Sequence, residues 1–286
     1  MHKAPVRLVL IINLLLLLGL GLGLVLGIFI YKTHVSYAVP IKHATKPQLT
    51  TVTIPPSQDL FEPFILPVSL HTTVTWKNND TVTHVFMTTP DQHTFLNPQV
   101  FSFTVPAGKS VSFTFTHAGL YHYYDKSFST WNTQFARVAA HKGVPHFPLA
   151  MDGVIWVEGP ISNLPAATLN SVPSKHDEFA YEFVAINQSG SVTWHNFDAD
   201  PHFIGLVPGW TYPINPTDIG LYRIAGTDDV PDGTSVTVIF DKPGLYYYYC
   251  RGHSHFDPSS YRALAVTTAS DYPLPMEGFV LVVGNS

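Results

Sequence analysis

The strongest constraint on the fold is that the sequence repeats itself. His84 aligns with His202 at an offset of 118 residues, and Met151 aligns with Met276 at an offset of 125 residues. Self-similarity at a fixed spacing indicates repeated structural units. The sequence therefore predicts a tandem duplication, with a first and a second repeat. The matching segments are 73–86 with 191–204, 111–125 with 236–250, and 148–159 with 273–284.

Both repeats consist of short segments typical of β-strands. The stretches SVTW, TSVTVIF and FVLVV are rich in β-branched and aromatic residues and are separated by Gly, Pro, Asn and Asp, which predicts strands joined by turns. No segment after Tyr31 has a long helical period. We predict an all-β fold with two sandwich domains, at residues 51–159 and 177–286, joined by a linker at residues 160–176 that is rich in Pro, Ser and Asn.

The N-terminus carries an uncharged apolar run, Leu8 to Tyr31, that is long enough to span a bilayer as a helix. Lys3 and Arg7 precede the run and favour a cytoplasmic N-terminus, with the rest of the chain outside. We expect residues 1–32 to be a single-pass membrane anchor, followed by a spacer at residues 33–50. The alternative is a signal peptide that is cleaved, which would give a secreted protein.

Charge excludes one class of partner. The formal net charge is -5, and no stretch of the sequence forms a basic stripe. Proteins that bind nucleic acid use clustered Lys and Arg to neutralise phosphates. We therefore expect no nucleic-acid partner.

The second repeat contains a set of residues suited to a metal. Cys250 is the only cysteine in the chain, so it cannot form an internal disulfide. His202 lies upstream, His253 and His255 follow Cys250 closely, and Met276 opens the last predicted strand. Two imidazoles, a thiolate and a weak thioether suit a copper ion that changes oxidation state. Zinc more often takes further Cys or His ligands.

With these residues and the segment GLYYYYC, the second repeat resembles a cupredoxin of the plastocyanin and azurin family. The resemblance covers both repeats and implies tandem Greek-key β-sandwiches, with one type 1 copper in the second repeat. It implies His202, Cys250, His253 and Met276 as ligands. His255 is the alternative to His253, because its spacing from the cysteine is that of multicopper oxidases. The segment before Met276 is longer than is usual in plastocyanin-like proteins.

The first repeat lacks part of this ligand set. Asp125 stands at the position of Cys250, and Phe128 stands at that of His253. His84 and Met151 remain, and His146 lies five residues before Met151. A type 1 copper site cannot form without the thiolate. A weak second site of His84, Asp125, His146 and Met151, for a harder or redox-silent ion, is the alternative to a repeat kept for packing.

These residues favour an extracytoplasmic electron carrier that contains copper and serves a redox partner protein. Copper carriage or storage is one alternative, and an oxidoreductase related to nitrite reductase is another. The only His-x-His pair is His253 with His255, which argues against the three further coppers of a laccase. Tyr249 stands where nitrite reductases have a histidine immediately before the cysteine. We therefore favour a carrier without catalytic activity.

Overall fold

The computed structural model describes residues 50–91, 93–207, 222–223 and 233–284, of which 222–223 are described by their backbone alone. The predicted membrane anchor at residues 1–32 and nearly all of the predicted spacer at 33–50 lie outside the described residues. The described residues contain no helix, and therefore none long and apolar enough to cross a membrane. The all-β fold class predicted from the sequence is confirmed.

The first repeat forms two sheets and a hairpin. The three-stranded sheet has the order β1-β3-β6, the five-stranded sheet has the order β2-β10-β7-β4-β5, and β8 pairs with β9. The chain passes several times between the two sheets, as in a Greek-key sandwich. Its strands are β1 (Thr51–Ile54), β2 (Ile65–Ser69), β3 (Thr73–Asn78), β4 (His84–Thr88), β5 (Ser102–Val105), β6 (Ser110–Thr114), β7 (Gly119–Asp125), β8 (Ser129–Asn132), β9 (Arg137–Ala140) and β10 (Asp152–Glu158).

The second repeat has the same strand order. Its three-stranded sheet is β11-β13-β16, its five-stranded sheet is β12-β20-β17-β14-β15, and β18 pairs with β19. The duplication inferred from the sequence therefore appears strand by strand in the structure. The strands are β11 (Ala167–Val172), β12 (Phe183–Asn187), β13 (Gly190–Asn196), β14 (Ile204–Leu206), β15 (Tyr222–Arg223), β16 (Ser235–Phe240), β17 (Gly244–Cys250), β18 (Ser254–Asp257), β19 (Arg262–Ala265) and β20 (Glu277–Val283).

The segment predicted as a linker, residues 160–176, differs from the prediction because it contains β11. This strand pairs in parallel with β13 along its whole length, from Ala167 with Ser191 to Val172 with Asn196. β11 is an edge strand in which Asn170 and Val172 are buried while the other residues are partly or fully exposed. Its Thr, Asn and Ser content therefore looks like a linker in the sequence, although the strand belongs to the second repeat. The division into two domains stays a prediction, since the described residues form one compact unit.

The five-stranded sheets of the two repeats face each other. One buried cluster contains Phe64 and Val154 from the first repeat together with Tyr247 and Phe279 from the second. The rings of Phe64 and Tyr247 are 6.1 Å apart between centroids. Strands β7, β10 and β20 are consequently buried at nearly every position, because one face packs inside its own sandwich and the other against the neighbouring repeat.

Two arginines cross between the repeats in this interface. Arg137 of the first repeat lies 2.6 Å from Glu178 and donates to the carbonyl of Phe179. Arg262 of the second repeat lies 2.7 Å from Asp152 and donates to the carbonyl of Ala150. Their positions differ by 125 residues, which is the offset of the repeat. The two arginines therefore make related and buried ion pairs across the interface.

Arg262→Met should destabilise the protein strongly. The variant removes the guanidinium from the buried carboxylates of Asp152 and Glu277 and leaves Asp152 with His122 alone, and breaking a buried pair in this way costs about 3–5 kcal/mol. The free energy of unfolding in urea, followed by tryptophan fluorescence, measures the loss. Lys109→Met is the control, because Lys109 is exposed and such changes stay within about 0.5 kcal/mol. Equal losses in the two variants would contradict this interpretation of the interface.

Candidate metal centre

Cys250 lies at the end of β17, where the pairing of β17 with β14 brings it beside His202. Ile204 is the register partner of Cys250, and His202 lies two residues before it. Within β17, Tyr246, Tyr248 and Cys250 point into the sandwich core, because alternate residues of a strand share a face. The thiol is fully buried. The sheet register therefore fixes the thiol and the first imidazole together at one end of the second sandwich.

Two imidazoles lie next to the thiol of Cys250. Nδ1 of His202 is 3.7 Å from Sγ, and Nδ1 of His253 is 3.5 Å from Sγ. The ligand atoms of the three residues all lie within 4.8 Å of one another. The backbone N–H of Phe203 also donates to Sγ, at 3.3 Å. Three of the residues predicted as ligands therefore converge with nitrogen and sulfur atoms directed at one point.

Met276 adjoins this group through its backbone. Its carbonyl accepts a hydrogen bond from the N–H of Cys250 at 2.9 Å, and its own N–H donates to Oγ of Ser254 at 2.8 Å. The side chain is fully buried in the same core cluster as Cys250. The structure thus places Met276 beside the cysteine, despite the long segment between His253 and Met276.

His255 does not join the group. It is exposed on β18, where its register partner is Leu264. In contrast, the side chain of His253 is only 14% exposed and directs Nδ1 at the thiol. Among the described residues, every candidate metal-binding group that contains Cys250 uses His253 and not His255.

In the first repeat the strands around Asp125 have the same arrangement as those around Cys250, but the side chains between them differ. Oδ2 of Asp125 lies 2.9 Å from Nδ1 of His84 and accepts the N–H of Val85 at 3.1 Å, as Sγ of Cys250 accepts the N–H of Phe203. The ring of Phe128 stacks on His84 at 5.2 Å. Asp125 and His84 are therefore hydrogen-bonded directly to each other, whereas Cys250 and His202 at the corresponding positions lie farther apart.

Of the four residues considered for a second site, the structure brings His84 and Met151 to Asp125 but not His146. His146 is held by Asp59, whose Oδ1 is 2.5 Å from Nδ1 of the ring. Met151 is fully buried, and its carbonyl accepts the N–H of Asp125. In the part of the chain that is described, His84, Asp125 and His146 do not form a group with ligand atoms within 4.8 Å of one another.

Sequence reasoning missed two carboxylates that contact the imidazoles. Oδ1 of Asp177 is 3.2 Å from Nε2 of His253, and Oδ2 of Asp198 is 3.5 Å from Nε2 of His202. The repeat could have pointed to Asp198, because Asp80 occupies the matching position in the first repeat. Asp80 lies 3.4 Å from Nε2 of His84. Both carboxylates of the second repeat are nearly buried.

Burial dominates the electrostatics of the site. It lowers the pKa of His202, as does the nearby His253, although Asp198 and Asp177 act in the opposite direction. Burial raises the pKa of the Cys250 thiol, while the N–H groups of Phe203, Gly252 and His253 oppose that shift. The site therefore favours a neutral imidazole at His202, which is the form that binds metal. A cation would be needed to favour the thiolate.

No family model matches the chain, and no curated protein matches it. Solved structures do show similarity. Amicyanin from Paracoccus versutus is 18% identical, with a TM-score of 0.27, over 42% of this chain and 89% of amicyanin. A purple cupredoxin from Nitrosopumilus maritimus is 23% identical, with a TM-score of 0.25, over 38% of this chain and 99% of the cupredoxin.

Asp125→Ala should destabilise the first repeat. It removes the acceptor for three buried or partly buried donors, namely Nδ1 of His84, the N–H of Val85 and the N–H of Ser127. Each buried donor left without a partner costs about 1–3 kcal/mol, so we expect a total loss of about 3 kcal/mol or more. Asp125→Asn keeps an acceptor oxygen and should lose less. Urea unfolding measures both variants, and a smaller loss for alanine than for asparagine would contradict the role of this carboxylate.

Proposed function

We propose that this chain is an electron-transfer protein that binds one copper ion in its second repeat. The observation that carries the proposal is the convergence of the Cys250 thiol with Nδ1 of His202 and Nδ1 of His253. A thiolate with two imidazoles and a weak axial thioether is the ligand set of mononuclear copper sites that transfer electrons. Met276 is the residue proposed for the axial position.

The donor set fits copper better than the common alternatives. Structural zinc sites take four Cys or His ligands, whereas this group offers three, all within 4.8 Å of one another. Calcium and magnesium prefer oxygen ligands. Copper, when bound, would supply a one-electron change between its two oxidation states. The first repeat offers a carboxylate hydrogen-bonded to an imidazole in place of the thiolate, so the proposal gives it no copper.

The residues around the three ligand atoms suit an electron carrier, in which the protein should move little when the ion gains or loses an electron. His202 and Cys250 are fully buried, which keeps water away from the thiol. The N–H of Phe203 and the sheet pairing of Cys250 hold the sulfur in place. Only His253 of these three reaches towards the surface, with 14% of its side chain exposed. Its ring is therefore the proposed route by which an electron passes between the site and a redox partner protein.

Copper loading of the full chain tests the proposal. The protein should bind one Cu(II) with a thiolate-to-copper charge-transfer band, and Cys250→Ser should remove that band. His253→Ala should also abolish it, whereas the matched variant His255→Ala should keep the spectrum nearly unchanged. Met276→Leu should keep the colour and raise the reduction potential, because an axial thioether tunes the ion without anchoring it.

Three results would contradict the proposal. They are the absence of a charge-transfer band, two equivalent coloured ions per chain, and loss of the band in His255→Ala but not in His253→Ala. Rapid transfer of the ion to a metal-free acceptor protein, without reversible voltammetry, would favour copper carriage.

We further propose that the apolar run of residues 8–31 anchors the protein in the cell membrane with both repeats outside the cytoplasm. Lys3 and Arg7 before the run support this orientation. Protease added to intact cells or spheroplasts should digest the repeats. Complete protection would overturn the orientation, and recovery of the intact repeats from the medium would favour a cleaved signal.

A further inference from the structure

We infer that Asp177 and Asp198 are positioning residues of the proposed copper site, on whose existence this inference rests. Each imidazole of the site lies between the thiol and one carboxylate. His253 directs Nδ1 at Sγ of Cys250 and Nε2 at Asp177, 3.2 Å away. His202 also directs Nδ1 at Sγ, and its Nε2 faces Asp198 at 3.5 Å, beyond a hydrogen bond. The carboxylates thus contact the side of each ring that faces away from the metal position.

The contact between Nε2 and the carboxylate favours the imidazole tautomer whose Nδ1 can bind a metal. A neutral imidazole carries one N–H, and the nitrogen that lacks the proton has a free lone pair. When Nε2–H donates to a carboxylate, Nδ1 is left as the ligand atom. In His253 that nitrogen is 3.5 Å from Sγ. Asp177, whose Oδ1 is 3.2 Å from Nε2, is therefore placed to hold the ring and to keep its proton on that nitrogen.

Asp177 also fixes the long segment that precedes Met276. While Oδ1 lies 3.2 Å from His253, Oδ2 accepts the N–H of Ser270 at 2.5 Å. The N–H of Asp177 donates to the carboxylate of Asp271 at 2.8 Å. One carboxylate therefore joins a ligand imidazole to the segment that delivers Met276. This gives a physical reason why so long a segment still returns Met276 to the cysteine.

The first repeat supplies a natural comparison. Asp59 aligns with Asp177 at the offset of 118 residues. Its carboxylate accepts the N–H of His146 and contacts Nδ1 of the same ring, at 3.1 and 2.5 Å. Asp59 thus also ties down the corresponding segment, but it contacts no imidazole that faces a thiol. Asp59 and Asp177 both bind the corresponding segment of their own repeat. Of the two, Asp177 also contacts an imidazole that faces the thiol.

The negative charge of the two carboxylates has its own effect. A nearby opposite charge stabilises a cation, and it does so more for a divalent than for a monovalent ion. Both carboxylates are nearly buried, so solvent and salt screen their charge only weakly. Loss of either carboxylate charge should therefore favour the reduced ion and raise the reduction potential.

Three variants of the full chain separate positioning from charge. Asp177→Ala removes both the acceptor and the charge, and it should lower the affinity for Cu(II) by about 10–100-fold, the usual effect of losing a group that orients a ligand. Asp177→Asn keeps an acceptor oxygen and should recover most of that affinity, while its potential stays above that of the wild type. Asp59→Ala is the control and should leave affinity and potential unchanged.

A measurement without metal gives a second test. Nitrogen-15 NMR of the metal-free protein should show His253 protonated at Nε2 in the wild type and in Asp59→Ala. In Asp177→Ala the proton should distribute between the two nitrogens. If Asp177→Ala does not fold, Asp198→Ala gives the same two measurements for His202.

The results distinguish this inference from the proposed function. A wild-type chain without a charge-transfer band on copper loading refutes the function. A wild-type band, combined with an unchanged affinity and an unchanged proton position in Asp177→Ala, overturns the positioning role alone. An equal loss of affinity in Asp59→Ala and Asp177→Ala would show that the loss reflects general destabilisation of the chain, which also overturns the role.

Discussion

The packing of the two five-stranded sheets against each other is the constraint on which the other features depend. It buries both faces of the central strands, so the residues of β17 alternate between two interiors. Leu245, Tyr247 and Tyr249 contact the interface between repeats, whereas Tyr246, Tyr248 and Cys250 point into the sandwich. A slip of one residue would exchange the two sets. The packing thereby fixes the face on which the only thiol lies.

The same packing explains the buried charges. Tyr247 and Glu277, which are hydrogen-bonded to each other, lie where β17 and β20 meet the other repeat. Burial raises the pKa of Glu277 to about 7, although Arg262 acts to lower it. A carboxylate is tolerated there because Arg262 and Tyr247 contact it. Glu277 directly follows Met276, so the interface between the repeats also holds the start of the strand that comes immediately after the proposed axial ligand.

The sequence predicted those features that depend on local pattern and on the repeat. Strand-forming residues and turns are enough to predict an all-β chain, and the offset of 125 residues is enough to align Asp125 with Cys250. The edge strand β11 was not predicted, because its polar residues resemble a linker and its pairing with β13 is a non-local property. His253 and His255 cannot be separated by spacing alone. The turn after Cys250 decides between them by burying one ring beside the thiol and exposing the other.

The carboxylates that contact the imidazoles were not predicted from the sequence, for a different reason. Asp177 and Asp198 lie far from Cys250 along the chain, in loops with no recognisable motif. Their importance arises from contacts with Nε2 atoms, which only a folded chain defines. The offset still offered a route to them, since Asp59 and Asp80 occupy the matching positions in the first repeat. A duplicated chain can therefore be searched for polar residues retained in both copies, even where their partners differ.

The two repeats place different polar groups in the same backbone frame. In the first repeat, the carboxylate of Asp125 satisfies the N–H groups of Val85 and Ser127 as well as His84. In the second, the thiol takes the corresponding N–H of Phe203 but lies 3.7 Å from the imidazole nitrogen. Sulfur is a weaker hydrogen-bond acceptor than a carboxylate, so it leaves the lone pair of that nitrogen available. The same backbone thus gives a closed polar pair in one repeat and a set of preformed ligands in the other. Because Cys250 is held by β17 and by the N–H of Phe203, and His202 is fully buried beside it, the proposed metal would require little movement of these two residues.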